Sequence, residues 1–301
     1  MNFYKKGIET LLEEFANNLG VKSELIQIDN LKKALTVYTQ KIENIKTKVS
    51  FDFFTDKMKM YIEETIESEK LSKDEFEHRY LSEINICKRL GRAGWVISEH
   101  TNPRKTYEWY KLLIDGNENR IVEYFECDNE MVLNSILNGL EIKYALSENK
   151  YFIKAKEYFE AEDYMTSSIY LVALIEAVTN ELMKYPKGIK YKQKYSEVGF
   201  EKHLEIEYDK VNSFFTKRFL FLEMYPSIIE FLDRLFVDGE YTFERGVEPP
   251  YINRNWLLHG KSNRDIERFE CIQLFNALSV IEFVFSITNK NGEYIDKRNV
   301  K

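Results

Sequence analysis

The segment "CIQLFNALSVIEFVFSI", residues 271–287, indicates the fold class of the chain. Read as a helix, it carries apolar side chains around most of its circumference. Its few polar side chains are Gln273, Asn276, Ser279, Glu282 and Ser286. A helix of this composition is buried on more than one side. We therefore expect an all-α helical bundle in which this helix is central, or is shared between the bundle and a second subunit.

The remaining sequence also favours helices. The 301 residues include only 12 glycines and 5 prolines, which is too few for the many tight turns of a β-sandwich or barrel. Apolar residues recur three and four positions apart over 3–19 and 24–48, and this spacing predicts amphipathic helices. A further helix is expected over 51–68, and the chain is long enough to bury a substantial core.

Two local patterns predict helix boundaries in the first half of the chain. Ser72 followed by Glu75 has the spacing of a capping box, and it predicts the start of a helix that ends at Gly91 or Gly94. Around Gly116 the apolar spacing favours two helices that are broken at the glycine. A β-hairpin at the Asp-Gly pair is the alternative there.

The second half of the chain shows stronger helical periodicity. Two helices are expected to meet at a hinge near Glu162 and Asp163. Further helices are predicted over 201–221 and 226–237. The last helix is predicted from Asn263 to Thr288.

Composition excludes several classes of protein. The net charge of −7 argues against broad, nonspecific binding to nucleic acid, which needs an excess of cations. The three cysteines are widely spaced and form no CxxC pair, so we expect reduced thiols and no structural metal. Charged residues interrupt the apolar segments, so no signal peptide and no membrane span are expected. The prediction is a cytoplasmic protein with no membrane partner.

A second segment, "PPYINRNWLLHGKSNRD" at residues 249–265, carries the candidate chemistry. Pro250 suits the first turn of a helix, where its missing N–H costs nothing. Gly260 suits the position just past a helix end, where a left-handed residue is favoured. These two signals predict a short helix over Tyr251–His259, with the histidine in its last turn.

Arg254 and His259 would lie on different sides of that helix. Helical geometry separates them by about 140° around the axis and by about 7.5 Å along it. Asn255 and His259 are four residues apart and share a face. The spacing alone is a weak motif, and a histidine before a helix-ending glycine is also a common structural device. A functional pocket would need another helix or subunit to complete it.

The run "RNWLLHG" resembles the Arg-Asn-x-x-x-His motif, followed by a glycine, of the HEPN superfamily (higher eukaryotes and prokaryotes nucleotide-binding domains). In that family an earlier helix packs beside the motif helix, and "AEDYMTSSIYLVALIEAVTNEL" is similar to it and supplies Glu176. The resemblance covers residues 147–290. It predicts a HEPN-like domain over 147–301, preceded by a helical regulatory or sensing region over 1–146.

The resemblance implies a homodimer and, in active members, a metal-independent endoribonuclease without a cofactor. In such a reaction the 2′-OH of RNA attacks the adjacent phosphate. His259 would act as general base or acid, and Arg254 would hold the phosphate. Asn255 would orient the pocket or contact the phosphate, and Glu176 would hold Arg254 or fix the histidine tautomer. The expected setting is phage defence or a toxin system, with a phage-derived trigger or an antitoxin as a further partner.

Basic residues near the motif are secondary candidates for RNA contacts. They are Lys261, Arg264, Arg268, Lys190 and Lys192. The last two lie in a lysine- and tyrosine-rich stretch that fits a stacking surface for single-stranded RNA or, alternatively, a solvated loop. Lys261 occupies the position at which some HEPN toxins have a tyrosine that is modified by nucleotide addition, so that mode of inhibition is not expected here.

Two functions of other classes remain open at the level of sequence. One is a non-catalytic HEPN protein that binds RNA or a protein partner and uses the motif for structure. The other is a helical adaptor whose function is its dimer interface. Cleavage of RNA by the wild type, and its loss in variants that still fold, distinguishes the enzyme from both.

Overall fold

The structure is a computed structural model that describes residues 70–102, 105–145, 149–183, 208–211, 214–236 and 246–287. Within these ranges all the long regular elements are helices, which confirms the all-α prediction. Contacts group the described residues from Ser72 onward into one compact unit. The helices predicted over 3–19, 24–48 and 51–68 lie outside the described residues.

The first two described helices are α1, Lys73–Arg79, and α2, Leu81–Ala93, separated by one residue. The Ser72 hydroxyl accepts a hydrogen bond from the Glu75 N–H at 3.4 Å, and the Glu75 carboxylate accepts one from the Ser72 N–H at 2.9 Å. The predicted capping box is therefore confirmed. Gly94 ends α2 with a φ of +101°, a left-handed conformation that glycine adopts without steric cost.

The next two helices are α3, Lys105–Ile114, and α4, Asn119–Ala145. Gly116 lies between them with a φ of +67°. The two-helix prediction is confirmed, and the hairpin alternative is excluded. Further along, α5, Lys150–Glu160, and α6, Tyr164–Met183, pack against each other as a helical pair.

The hinge between α5 and α6 lies where the sequence predicted it. Glu162 has a φ of +61°, and the Asp163 carboxylate accepts a hydrogen bond from the Thr166 N–H at 3.0 Å. This contact caps the first turn of α6. The side chain of Ser167 donates to the carbonyl of Ala155 at 2.8 Å and links the two helices.

The prediction of separate helices that end at 221 and begin at 226 is wrong. After a 3-10 turn at Tyr208–Lys210, the chain forms α7, Phe214–Lys217, a π-helical segment, Arg218–Met224, and α8, Tyr225–Phe236, without interruption.

Pro226 explains both the prediction and its failure. Proline has no N–H for the regular hydrogen-bond pattern of a helix, and it usually marks a boundary. Here the preceding residue, Tyr225, donates its N–H to the Leu220 carbonyl five residues back. The widened π turn carries the helix through the proline.

The last two helices are α9, Arg254–Leu258, and α10, Arg268–Ile287. Fifteen of the twenty residues of α10 are buried, which confirms that this helix is enclosed on more than one side. It packs against α4, α6 and α8, while α8 also packs along α2. The short α9 contacts α6 and α8, so the candidate motif is held between these two helices.

Asn276 and Ser279 are polar residues of α10 at a spacing of three, and they hold the segment between α2 and α3. The Asn276 side-chain amide donates to the Val96 carbonyl at 2.7 Å, and the Ser279 hydroxyl donates to the Glu99 carboxylate at 2.7 Å. Gln273 lies at the same spacing one turn earlier. These side chains satisfy backbone and side-chain groups that burial would otherwise leave without partners.

The helix α10 is long and apolar enough to cross a membrane, judged by length and composition, but 83% of its most apolar window is buried inside the protein. The buried central helix of a bundle meets the same criterion.

Within the described ranges Cys87 and Cys271 are buried free thiols and Cys127 is an exposed one. The cytoplasmic location stays a prediction.

Helices from both sides of residue 146 contact one another, because α4 packs on α10 and α2 packs on α8. The described helices that precede residue 147 therefore belong to the same compact unit as the motif. A regulatory or sensing role for residues 1–146 remains a prediction.

Candidate functional site

The motif helix α9 begins at Arg254, directly after its N-cap Asn253, and not at Tyr251 as predicted. Asn253 has an extended backbone, and its side-chain oxygen accepts from the N–H groups of Asn255 at 3.1 Å and Trp256 at 3.4 Å. Asparagine is among the best N-caps because its oxygen satisfies N–H groups that have no partner in the first turn. Pro250 precedes this cap and lies outside the helix.

Asn253 also ties the motif to α8. It is 2% exposed, and its side-chain amide lies 3.5 Å from the Arg234 carbonyl and 3.4 Å from the Leu235 carbonyl, near the C-terminus of α8. Trp256 and Leu257 are buried. A helix of five residues is too short to be stable alone, so these anchors determine its position.

The motif helix ends at Leu258, one residue before the predicted end, and Gly260 is the left-handed residue past the end as predicted. Gly260 has a φ of +65°; its N–H donates to the Leu257 carbonyl at 3.1 Å, and the Lys261 N–H donates to the Trp256 carbonyl at 2.9 Å. These paired bonds are a Schellman motif, in which glycine is the usual left-handed residue. His259 is the C-cap residue just before Gly260, and it is exposed.

Arg254 is held by Glu176 of α6. Its Nε donates to one carboxylate oxygen at 3.1 Å, and its Nη2 donates to the other at 3.0 Å. The side chains are 29% exposed for the arginine and 15% exposed for the glutamate. A two-point pairing of this kind fixes both the position and the plane of the guanidinium.

Asn255 completes the contacts of this guanidinium. Its side-chain oxygen accepts a hydrogen bond from Nη1 of Arg254 at 2.8 Å. Glu176 and Asn255 thus engage three of the five N–H donors of an arginine. The remaining two N–H bonds, one on each terminal nitrogen, are the groups that an incoming phosphate would meet.

His259 follows Arg254 by five residues at the opposite end of α9. By helical geometry the two side chains leave the helix about 140° apart. The single chain therefore brings together Arg254, Asn255 and Glu176, and presents His259 on another side of the same short helix.

The last helix starts five residues later than predicted, at Arg268 instead of Asn263. Residues 261–267 form a loop that Glu248 holds from the other side of the motif. The Glu248 carboxylate accepts from the Ser262 hydroxyl and, at 2.9 Å, from the Asn263 N–H. Sequence reasoning missed Glu248, because nothing in its local sequence relates it to residues 14 and 15 positions away.

Both predicted RNA-binding arginines have carboxylate partners. Arg264 pairs with buried Glu270 through two hydrogen bonds of 2.8 and 2.6 Å. Arg268 donates to Glu126 at 2.7 Å and to Glu130 at 2.6 Å. Its guanidinium also lies 4.6 Å from the centre of the Phe159 ring. These contacts give both residues a structural role, and their binding to RNA stays a prediction.

The predicted lysines are less well defined by the structure. Lys261 is exposed beside His259 and Gly260. Lys190 and Lys192 lie outside the described residues. No group of three or more His, Cys, Asp or Glu side chains close enough to share a metal ion occurs in the part of the chain that the structure describes.

Arg234 forms part of the support beneath the motif. Its guanidinium donates to the Arg92 carbonyl at 2.8 Å and lies 4.6 Å from the centre of the Tyr251 ring. Burial lowers the pKa of Arg234 to about 10, so the side chain stays charged at neutral pH.

The comparison of the chain with family models, curated proteins and solved structures found no match.

Proposed function

We propose that this protein is a HEPN-type, metal-independent endoribonuclease that acts as a homodimer. The observation that carries the proposal is the guanidinium of Arg254, oriented by Glu176 and Asn255 on a short helix that ends at exposed His259. These are the residues of the motif that resembles the HEPN family. An oriented cation and a histidine are also the groups that RNA cleavage without a metal requires.

The reaction begins when the 2′-OH of a ribose attacks the adjacent phosphate. His259 accepts the proton of that hydroxyl, and the bond from O2′ to phosphorus forms. The bond from phosphorus to O5′ breaks, and a general acid protonates the leaving oxygen. The products are a 2′,3′-cyclic phosphate and a free 5′-OH, and no metal or cofactor takes part in this sequence.

Arg254 stabilises the charge that builds on the phosphate during attack. Two of its N–H donors point away from the Glu176 and Asn255 contacts, and preorganised donors lose little freedom when a phosphate binds. Glu176 holds the guanidinium plane at a cost, because its negative charge weakens the attraction for RNA. This arrangement of Arg254, Glu176 and Asn255, called the clamp below, therefore favours correct orientation of the guanidinium over affinity for RNA.

A second copy supplies what one chain lacks. The reaction needs a base and an acid, but the motif provides one histidine. The motif helix also presents Arg254 and His259 on different sides. In a dimer with the two motifs face to face, the histidine of one copy acts as base and that of the other as acid, with both arginines on the same phosphate.

The test uses purified full-length protein and total RNA in EDTA. The wild type should cut RNA, and His259→Ala and Arg254→Ala should lower the rate at least about 100-fold, as expected for loss of general acid–base or electrostatic catalysis. Two controls match these changes. His78→Ala removes another exposed histidine, and Arg92→Ala removes another arginine paired with a carboxylate through two hydrogen bonds.

Both controls should keep wild-type activity, and circular dichroism should show that all four variants fold. A folded wild-type dimer that cuts no RNA in EDTA refutes the enzyme. Equal activity of wild type and His259→Ala refutes the role of the histidine.

A non-catalytic HEPN protein is the second candidate, and the Glu176 contact favours it. A guanidinium that is already neutralised by a carboxylate also fits a purely structural role, in which it joins α6 to α9. In that case RNA or a protein partner binds without cleavage. Retention of labelled RNA by the wild type, with no cleavage and no change in Arg254→Ala, would support this candidate.

The biological setting proposed for the enzyme is phage defence or a toxin system in the cytoplasm. Expression of the wild type in bacterial cells should arrest growth with degradation of RNA, while His259→Ala should be tolerated. Growth arrest by both proteins would point to a cause other than RNA cleavage. A phage-derived trigger or an antitoxin is the further partner that this setting implies.

A further inference from the structure

A second cluster of reactive side chains lies away from the motif and consists of Glu99, His100 and Ser135. The first two lie in the turn Ser98–Thr101 that follows α2, and Ser135 belongs to α4. The Ser135 hydroxyl lies 3.2 Å from Nδ1 of His100. On the other side of the ring, Nε2 of His100 lies 3.4 Å from the Glu99 carboxylate. A hydroxyl, an imidazole and a carboxylate are thus joined in the order that serine hydrolases use.

The carboxylate determines which ring nitrogen can act as a base. An ionised Glu99 at 3.4 Å favours the hydrogen on Nε2, and that tautomer leaves the lone pair of Nδ1 towards the Ser135 hydroxyl. Glu99 also accepts a hydrogen bond from Ser279 at 2.7 Å. Burial alone would raise the pKa of Glu99, but the hydrogen bonds from His100 and Ser279 outweigh it and lower the pKa. The carboxylate is therefore ionised at neutral pH.

The backbone around the histidine is held by hydrogen bonds from its own segment and from α4. The Tyr124 hydroxyl donates to the His100 carbonyl at 2.9 Å and accepts from the Asn102 N–H at 3.0 Å. The His100 N–H donates to the Ser98 hydroxyl at 3.3 Å. The ring is thus presented from a braced segment, as a catalytic base must be.

The surface beside Ser135 is open. Side chains on a helix lean towards its N-terminus, so a side chain at position 139 would cover Ser135 one turn earlier. That position is Gly139, and a Cβ built there meets no atom within 4 Å. Packing therefore does not require glycine, which in a helix interior costs about 0.5–1 kcal/mol relative to alanine. Met131, 62% exposed, provides apolar surface one turn before Ser135.

We propose that Ser135 is a nucleophile activated by His100 and positioned through Glu99, and that it reacts with small acyl esters. The Ser135 oxygen attacks the carbonyl carbon while its proton passes to Nδ1 of His100. The tetrahedral adduct expels the alcohol, which takes that proton, and an acyl-serine remains. Water activated by the same nitrogen then releases the carboxylic acid and restores the serine. Asn138, exposed and three residues from Ser135, offers an amide to the developing oxyanion.

The test uses the full-length protein and an alkyl fluorophosphonate, which phosphonylates an activated serine and releases fluoride. Intact mass and peptide mapping should find one adduct, on Ser135. Ser135→Ala should abolish it, and His100→Ala should slow it at least about 10-fold, since general base help is worth about 10²–10⁴-fold. Glu99→Gln should lower the maximal rate of labelling without changing the concentration for half-maximal rate. Gly139→Leu should slow labelling by covering the serine.

Ser82→Ala is the matched control, because Ser82 is an exposed serine on α2 whose hydroxyl donates to the neighbouring Glu83 and not to a histidine among the described residues. Labelling of this variant should equal that of the wild type. The same order of rates is expected for hydrolysis of p-nitrophenyl acetate. Wild-type protein without an adduct on Ser135 overturns the proposal. So does labelling of Ser135 at the same rate in folded His100→Ala, because a serine that reacts without the histidine is an ordinary surface hydroxyl.

Discussion

The contact between Arg254 and Glu176 makes a quantitative prediction. If Glu176 holds the guanidinium, the two residues must contribute to stability as one unit, and this can be measured with a double-mutant cycle. The cycle comprises wild type, Arg254→Gln, Glu176→Gln and the double variant. Neutral amides of similar length keep most of the packing and remove the charges.

The size of the coupling follows from the geometry. The pair shares two hydrogen bonds, of 3.1 and 3.0 Å, and its side chains are 29% and 15% exposed. Exposed ion pairs contribute about 0.2–1 kcal/mol, and removing one partner of a buried pair costs about 3–5 kcal/mol. For this intermediate burial we expect each single variant to lose about 1–3 kcal/mol and the coupling energy to be about 1–2 kcal/mol.

Urea unfolding, followed by circular dichroism at low and at moderate salt, gives the four free energies of unfolding. The pair formed by Arg92 and Glu230 is the matched control, since it has the same two-point geometry but its arginine side chain is 66% exposed. Its coupling should stay below about 1 kcal/mol and should fall further with salt. Losses for Arg254 and Glu176 that add within about 0.3–0.5 kcal/mol would refute the clamp.

Three further predictions concern the scaffold of the site. Gly91→Ala should lower the free energy of unfolding by more than about 1 kcal/mol and lower the melting temperature, because its Cβ would lie 2.0 Å from the Ser227 carbonyl oxygen. Gly139→Ala, where nothing lies within 4 Å of the added Cβ, should instead raise the free energy of unfolding by about 0.5 kcal/mol. Asn253→Ala should cost about 1–2 kcal/mol in urea unfolding and should also lower RNA cleavage, whereas a cap that matters only locally would leave cleavage unchanged. Burial raises the pKa of Glu223 from 4.5 to about 7, so the wild type loses stability as the pH rises through that window. The free energy of unfolding of Glu223→Gln should therefore rise relative to that of the wild type by about 1–3 kcal/mol between pH 4.5 and 7. A difference between the two proteins that does not change with pH would contradict this.

Short-range signals predicted several features of the fold correctly. Ser72 and Glu75, Gly116 and the hinge at Glu162 all act within four residues of the chain, so their patterns are legible in the sequence. The burial of α10 was also predictable, because a helix that is apolar on most sides is stable in water only when those sides are packed against other helices. These signals do not decide between two nearby positions that are each suited to begin the same helix.

The start of the motif helix is an example of this. Pro250 and Asn253 both suit a helix start, and the contacts of Asn253 with carbonyls of α8 decide between them. The partners Glu248 and Glu270 were missed for the same reason, since only the folded loop brings them to Ser262 and Arg264. The pairing of Arg254 with Glu176, 78 residues away, is one of the two roles that the family resemblance implied for Glu176, and spacing did not indicate it.

The chemistry of the RNA products shows directly whether the 2′-OH attacks the phosphate. Purified protein is incubated in EDTA with a defined RNA and with the same RNA carrying a 2′-deoxy sugar at the cleaved position. We expect a 2′,3′-cyclic phosphate and a 5′-OH from the first substrate and no cut at the deoxy position in the second. Both products should be lost in folded His259→Ala but not in His78→Ala. Cleavage at the deoxy position, or equal cleavage by His259→Ala, would contradict a site in which His259 activates the 2′-OH.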